Sequence, residues 1–406
     1  MLSIEVTVFA AIAYLAVLFV IAYRGDKSST NTVKPYRYSL AQGVHCTSWA
    51  FFGTVTQSSY YGWAFAPTYI GAIIVFLLLH GVQLKLLNYC KQKNITSIAD
   101  LIGTRYSKSP VLAAAVALTA FVAVVPYISL QLRAVTSSFA AVTGFDNSPL
   151  WLSDLSFLVA LFMVGFGFLF GTRRLSLAEQ HSGLMDAIAF ESIVKLVAFV
   201  IVGLFVSYSL FDGLSDLFRA SFENPVTRDV LTGEEGGGYV FTVHILLGAL
   251  SMFCLPRQFH VSYVENTHPD ELKVARWAFP LYLFSINFFI LPIALGALHL
   301  APEQAANDTF LLSIPLISER PDITLVAFIG GLSAATSMVI IALLALSIMI
   351  SNDVVMPIWL RLTKSRLRQF SFTPKRILRI RRVTIVIVML MAYLYYQVTI
   401  DSMPLV

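Results

Sequence analysis

Apolar runs close to the length of a membrane-spanning helix recur along this chain, separated by short polar segments. Such a helix needs about 20 predominantly apolar residues. Ten runs predict spans at about residues 3–23, 38–63, 67–89, 111–142, 151–170, 187–210, 239–256, 279–300, 323–350 and 383–398. The pattern therefore predicts an all-α polytopic membrane protein.

The second of these runs, from Tyr38 to Trp63, has a polar middle. Seven of the nine side chains from Gly53 to Tyr61 can form hydrogen bonds. Lipid offers such groups no partner, so they are expected to face protein or a wet cavity. We predict that the helix breaks at Gly53, where freed carbonyls can bind a hard cation such as sodium. A packing face of small residues is the alternative.

The ninth run carries small and hydroxyl-bearing residues from Gly330 to Ser337. Gly330, Ser333 or Ala334, and Ser337 share one helical face by their spacing. Alone, this pattern is typical of a packing face. Opposite a broken second helix, it could also complete an oxygen-lined ion site, and both interpretations stay open.

The order of the runs indicates two related halves in opposite orientation. The second run enters the membrane from one side, and the seventh, five helices later, enters from the other and ends near Pro256. This order predicts a five-plus-five inverted repeat preceded by one extra helix, although Pro256 could be a simple helix end. The predicted parts are a leading helix and loop (1–37), a first repeat (38–211), an external loop (212–238) and a second repeat (239–406). That second repeat lacks its last helix, so we expect the chain to be truncated.

Composition and charge placement support this class. Hydrophobic residues make up 57% of the chain and charged residues 13%, which excludes a water-soluble core. With the N-terminus outside, 23 of the 28 Lys and Arg fall in cytoplasmic connections, as the positive-inside rule requires. The net charge of +5 thus needs no nucleic-acid partner, although the basic loop Arg361–Arg382 could contact anionic lipid. Three cysteines without a CxxC motif indicate neither a disulfide framework nor a zinc site.

Two further features concern chemistry. Glu191 and Lys195 stand four residues apart within the sixth run, a spacing that predicts a neutralising pair or, as an alternative, a proton relay. No motif of a soluble catalytic site occurs, so the 406 residues are not expected to form an enzyme.

Several segments resemble the sodium/solute symporter family, whose fold is the LeuT-type five-plus-five repeat. The segments are Trp49 to Gly53, Asn94 to Tyr106 and Gly330 to Asp353. Three others are similar to the symporter-like domain at the front of certain bacterial hybrid sensor histidine kinases: Tyr127 to Arg133, His181 to Ser192 and Pro256 to His260. The resemblance covers essentially the whole chain.

The family resemblance implies particular site residues. A sodium ion would be bound by backbone oxygens of Thr54 and Gln57, the carbonyl of Ala334 and the hydroxyl of Ser337. Met338 stands where the family has a second hydroxyl, so Ser333 or Thr336 would have to replace it. The side chains expected nearest the solute are Thr56, Gln57, Ser58, Tyr61, Tyr127 and Gln131.

The resemblance implies a secondary active transporter of a small solute such as an amino acid or organic acid. It would lie in the bacterial inner membrane, contact membrane lipid, carry no cofactor and use sodium or protons as coupling ion. It could also serve as the input domain of a histidine kinase, with kinase and receiver modules in the same full-length chain. The alternative is a receptor domain that senses a solute without moving it.

Overall fold

The computed structural model of the chain describes residues 1–27, 32–145, 155–171, 181–233, 237–300, 308–363 and 374–399. These residues form helices and no strand. The α-helices are α1 Ile4–Lys27, α2 Pro35–Ala41, α3 Thr54–Tyr61, α4 Ala66–Leu77, α5 His80–Lys93, α6 Ile98–Arg105, α7 Pro110–Thr143, α8 Leu155–Phe166, α9 Ser182–Phe205, α10 Leu214–Glu223, α11 Pro225–Thr232, α12 Gly237–Cys254, α13 Pro256–Phe259, α14 Glu271–Asn287, α15 Ile290–Leu300, α16 Phe310–Ile317, α17 Pro321–Met349, α18 Met356–Thr363 and α19 Pro374–Thr399.

Within the described residues, seven helical segments are long and apolar enough to cross a membrane. They are Ile4–Lys27, Trp49–Leu77, Pro110–Thr143, Ser182–Leu210, Gly237–Cys254, Glu271–Leu300 and Pro321–Leu360, and Leu155–Leu169 is a shorter apolar helix. An integral multi-pass membrane protein is thereby supported. The number is below ten partly because the predicted second and third spans share the segment Trp49–Leu77. The start of the predicted fifth span, residues 151–154, lies outside the described residues.

A sharp turn at Gly62 separates α3 from α4 within that segment. The turn requires a φ of 53°, which a glycine adopts at little cost because it has no Cβ. On the far side of the turn, α4 packs against α12 and α14, whereas α3 packs against α15. The two predicted spans are therefore distinct helices, as the sequence indicated.

Local sequence signals explain the ends of the longest helix of the first half, α7. Ser109 accepts a hydrogen bond from the backbone N–H of Leu112, and Pro110 occupies the first turn, where its missing N–H costs nothing. The helix ends at Gly144 in the left-handed conformation. Pro126 lies inside the helix without ending it, and the helix continues to Thr143.

The ninth predicted span forms the centre of the molecule. In the apolar stretch of 18 residues within Pro321–Leu360, 94% of the residues are buried inside the protein. In the corresponding stretch of Ile4–Lys27, only 17% are buried. Gly331 lies against the ring of Phe52, and Gly330 against Phe51. The small-residue face of α17 is therefore a packing face for the second span, which was one of the two interpretations of its sequence.

The second span is broken, but the predicted position of the break at Gly53 is wrong. Gly53 has helical dihedrals, and α3 continues from Thr54 without interruption. The regular α-helical form is instead lost between Gln42 and Ser48, where Gln42–His45 forms a 3₁₀ helix and Cys46 is extended with ψ of 97°, and helical dihedrals return at Ser48. Polarity alone misplaced the break, because the hydroxyls of Thr54 and Ser59 donate to carbonyls one turn earlier in the chain and need no unwinding.

A second break opens the second half of the fold. After α12, Leu255 is extended with ψ of 123°, and Pro256 begins the short helix α13. The amide of Gln258 donates to the side-chain oxygen of Gln42 at 2.7 Å, so the two breaks lie side by side. Each five-helix half thus begins with a broken helix, as the five-plus-five arrangement predicted. The exact boundaries at residues 37, 211 and 238 stay predictions.

Candidate solute and cation site

The central site is built around the broken segment Gln42–Ser48. Released from regular helical bonding, its backbone groups are met by side chains of neighbouring elements. Gln131 of α7 accepts a hydrogen bond from the backbone N–H of Ser48 at 3.1 Å, and the hydroxyls of Tyr127 and Thr47 lie 2.9 Å apart. These contacts satisfy polar groups that lipid could not, so they hold the break open inside the protein.

The side chain of Lys195, on α9, reaches the middle of this segment. Its buried ammonium donates to the carbonyls of Gly43 at 3.0 Å and Cys46 at 2.9 Å, and to the hydroxyl of Ser337 at 3.2 Å. An ammonium has three donors, and all three are used here. Lys195 therefore bridges the broken second span and α17 in the manner predicted for a bound cation.

The predicted pairing of Lys195 with Glu191 does not take the form of a direct ion pair, although each charge acts on the other at longer range. Glu191 accepts a hydrogen bond from the hydroxyl of Thr336, and its backbone carbonyl accepts one from Ser333 at 2.8 Å. No ion pair joins Glu191 to Lys195, both of which the structure describes. The spacing permitted the pair, but the tertiary fold offered each group better hydrogen-bond partners.

The structure divides the residues predicted to bind sodium into two groups. Thr54 and Gln57 lie within α3, where their backbone oxygens are used by the helix. Ser337 contacts Lys195 and donates to the carbonyl of Ala334 at 3.2 Å, while Ser333 faces α9. The five residues are thus not brought around one point, because the break lies before α3 rather than inside it. Met338 packs in an apolar cluster and is no ligand.

Among the residues predicted to bind solute, Tyr127 and Gln131 are at the break. Thr56 and Gln57 lie farther along α3, and each has a buried side-chain oxygen without a hydrogen-bond partner. Ser58 donates to the carbonyl of Gly62 at 3.0 Å. Tyr61 is 46% exposed at the end of α3. Ser58 and Tyr61 therefore belong to the turn after α3 and not to the central site.

The second break contributes polar side chains that the sequence had not assigned to the site. Gln42 accepts from the hydroxyl of Ser262 at 2.8 Å as well as from Gln258. The guanidinium of Arg257 stacks on the ring of Tyr127, with 4.7 Å between the guanidinium carbon and the ring centroid. Arg257 is only 5% exposed, and its Nε has no hydrogen-bond partner.

A cavity of about 600 Å³ reaches this region. It is lined by Ile98 and Ile102 of α6, by one face of α7 from Ala115 to Tyr127, and by the residues around the second break, Cys254 to Arg257. Most of the lining is apolar, and Arg257 supplies its formal charge. The size and character suit a small organic solute.

A separate polar cluster joins the segment after α13 to the start of α9. Glu265 accepts from the Nδ1 of His181 at 2.8 Å, from the Nε2 of His260 at 3.2 Å and from the backbone N–H of His181 at 2.7 Å. Burial alone would raise the pKa of the Glu265 carboxyl, but the two histidines outweigh it and lower the pKa to about 2. The three ligand atoms lie within 4.8 Å of one another, as metal ligands would. Direct hydrogen bonds to the carboxylate already account for the arrangement.

Sequence reasoning missed Lys195 as a ligand of the break, and Arg257 and Gln42 as site residues. The available signal was the polar run from Gln42 to Ser48 inside an apolar span. The break was predicted later in the chain, at Gly53, because the hydroxyl-bearing residues of α3 are more closely spaced. For Arg257, nothing in the sequence distinguishes a loop arginine from a buried one. Its role depends on the path of the chain after Leu255.

The fold has a solved counterpart. The chain superposes on a structure described as the substrate-bound outward-open state of a Na⁺-coupled sialic acid symporter, with a TM-score of 0.72 and 13% sequence identity, covering 98% of this chain and 83% of the other. The likeness confirms the LeuT-type fold. No family model matches the sequence.

A relative by sequence is also a symporter by name. Over 295 residues the chain is 24% identical to the "Uncharacterized symporter YhjB" of Bacillus subtilis (strain 168), a match that covers 68% of this chain and 55% of the relative. The match thus spans about half the length of that relative. Neither similarity supports a link to histidine kinases. Together they support a membrane protein with the LeuT-type fold that is similar to proteins named as symporters.

Proposed function

We propose that this protein is a secondary active transporter that carries a small solute through the region where its two broken helices meet. The observation that carries the proposal is the pairing of the breaks at Gln42–Ser48 and Leu255, beside a cavity of about 600 Å³. In transporters, irregular backbone at membrane depth is tolerated where it lines a substrate path, and the two halves move about that point. The symporter relatives agree with this proposal.

We further propose that the ammonium of Lys195 takes the part of a bound sodium ion at this break. A sodium site here would need the carbonyls of Gly43 and Cys46 and the hydroxyl of Ser337, and all three are bonded to Lys195. Coupling would then use the proton that Lys195 carries, or an ion bound elsewhere. The solved counterpart is described as Na⁺-coupled, which is the reason to test both ions.

Transport is tested with the full chain in liposomes. Uptake of radiolabelled amino acids and organic acids would be measured under an imposed sodium gradient, an imposed proton gradient and neither. We expect accumulation of at least one solute with the proton gradient, and its loss in Gln131→Ala, which removes the acceptor for the Ser48 N–H. The exposed variant Lys273→Ala serves as a control with normal uptake.

The same preparation distinguishes the alternative of a receptor that binds without moving its ligand. A receptor would gain thermal stability from a solute, since ligand binding stabilises the folded state, and would accumulate none under any gradient. The resemblance to symporter-like domains of sensor histidine kinases stays a prediction of the sequence. It would be supported by a kinase module in the same gene product.

A further inference from the structure

The guanidinium of Arg257 is a buried cation without an anionic partner. It is 5% exposed, and among the described residues no carboxylate forms an ion pair with it. Its Nε lacks any hydrogen-bond partner. Burying an unpaired charge is costly, and buried charges in proteins are normally paired. A position of this kind calls for a counter-ion that the chain itself does not supply.

The surroundings of Arg257 add positive charge. Lys195 lies close enough for the two cations to repel each other, and His45, which is near both, packs its ring edge-on against Tyr69 and Phe279. The carboxylate of Glu191 attracts Lys195 at longer range, but it accepts a hydrogen bond from Thr336 and forms an ion pair with neither cation among the described residues. The centre of the protein thus carries an excess of positive charge next to the cavity.

Arg257 lines the cavity, so its charge is within reach of a ligand bound there. Arg257 and Tyr127 supply the polar surface where the cavity meets the break, and the walls from α6 and α7 are apolar. The ring of Tyr127 lies against the guanidinium and limits how far it can turn, and a guanidinium binds best to a planar partner with two oxygens. Such a partner would satisfy the unused donors while its apolar part rested on α6 and α7.

We propose that Arg257 is the binding residue for the carboxylate of the transported solute, so that the solute is a monocarboxylate with an apolar body. The claim that the solute is transported rests on the proposed function. The claim that the site binds a carboxylate rests on the geometry around Arg257. An anionic lipid headgroup presents similar chemistry. A solute site would bind a free carboxylate in the absence of lipid, whereas a lipid site would not.

The test measures thermal unfolding of the full chain in detergent with simple probes. Acetate, propionate and benzoate would each be compared with chloride and with their neutral amides, at up to about 100 mM, where even a Kd of about 10 mM gives a visible shift. We expect the carboxylates to stabilise the wild type, with benzoate most effective, and the amides to have no effect. Each carboxylate should bind about 10- to 100-fold more weakly to Arg257→Gln.

Three comparisons keep the result interpretable. Arg257→Lys keeps the charge but loses the two-pronged geometry, so it should bind the probes with intermediate strength. Arg276→Gln removes an exposed arginine and should behave as the wild type. Arg257→Gln should fold at least as stably as the wild type without probe, because an unpaired buried charge has been removed.

The proposal is overturned if no carboxylate stabilises the wild type, or if Arg257→Gln responds equally. It is also overturned if stabilisation requires added phosphatidylglycerol and is unchanged by free carboxylates, since the site would then hold a lipid. Binding without uptake in liposomes would reject transport while leaving the carboxylate site intact. Uptake that is unaffected by Arg257→Gln would reject the site while leaving transport intact.

Discussion

Lys195 shows how one side chain can replace a predicted ion. Its three donors meet two carbonyls of the broken second span and the hydroxyl of Ser337. Because the ammonium is covalently part of α9, it holds α9, α17 and the break together whenever it is protonated, whereas a free ion would do so only when bound. The charge at the break is therefore a structural constant of the chain as long as the lysine keeps its proton.

Removing Lys195 should create a need for sodium. In Lys195→Ala the carbonyl of Cys46 and the hydroxyl of Ser337 lose the donor that Lys195 supplies, while the carbonyl of Gly43 keeps only the N–H of Cys46. Each unpaired buried acceptor costs about 1–3 kcal/mol, so we expect a loss of about 3 kcal/mol in the free energy of unfolding. Sodium chloride, but not choline chloride, should restore part of it in thermal unfolding. The wild type should show no sodium-specific shift.

Lys195→Met is the matched control for this prediction. Its side chain fills the space of the lysine stem without supplying donors, so it should be destabilised and should not respond to sodium. A sodium-specific stabilisation of the wild type as large as that of Lys195→Ala would contradict the prediction, because it would show an ion bound beside the lysine.

Glu265 carries a second residue-scale prediction. Its folded pKa of about 2 lies below the ordinary value of 4.5, so the charged carboxylate stabilises the fold above pH 4.5 and the contribution is lost as the pH falls toward 2. Glu265→Gln should lower the free energy of unfolding at pH 7 by about 3 kcal/mol, because two histidines and a backbone N–H lose a charged acceptor.

The pH dependence distinguishes this from a general loss of packing. The difference in melting temperature between the wild type and Glu265→Gln should persist from pH 7 to about 5 and narrow below about 4.5. The exposed variant Glu223→Gln should match the wild type throughout. A difference that is constant down to pH 3 would mean that the carboxylate charge is not the stabilising feature.

At the scale of elements, the fit between the second span and α17 depends on the absence of side chains. Gly331 has no room for a Cβ because the ring of Phe52 lies against it. That ring packs edge-on against Phe51, with 5.0 Å between centroids, and Phe51 in turn packs on Phe199. The ring therefore has little freedom to move aside, and the small residues of α17 set how closely the two helices approach.

Gly331→Ala should therefore destabilise the protein, although alanine is the better helix former. We expect a loss of about 1–3 kcal/mol in the free energy of unfolding, which is typical of overpacking. Gly81→Ala in α5 is the matched control, since nothing lies within 4 Å of the added carbon, and it should be neutral or slightly stabilising. Thermal unfolding of the two variants compares them directly, and equal effects would contradict the packing argument.

At the scale of the whole molecule, the distribution of charge predicts the orientation in the membrane. The basic connections 24–37, 85–108 and 257–276 lie on one side of the predicted spans, so the positive-inside rule predicts an N-terminus outside. An N-terminal epitope tag should be removed by protease added to intact cells, and a cytoplasmic protein should survive the same treatment as control. Protection of the tag in intact cells with cleavage in inverted vesicles would reverse the orientation.

By itself, the sequence determined the class, the long helices and the two-fold order of the halves, because apolar length and charge placement are local properties. The ends of α7 and the small-residue face of α17 could be predicted as well, because helix caps and residue size are also local properties. Tertiary structure decided where the second span breaks, which groups Lys195 and Glu191 bond, and that Arg257 is buried beside a cavity. These depend on which distant donors and acceptors meet inside the fold, and a hydrogen bond between residues more than a hundred positions apart leaves no trace in local spacing.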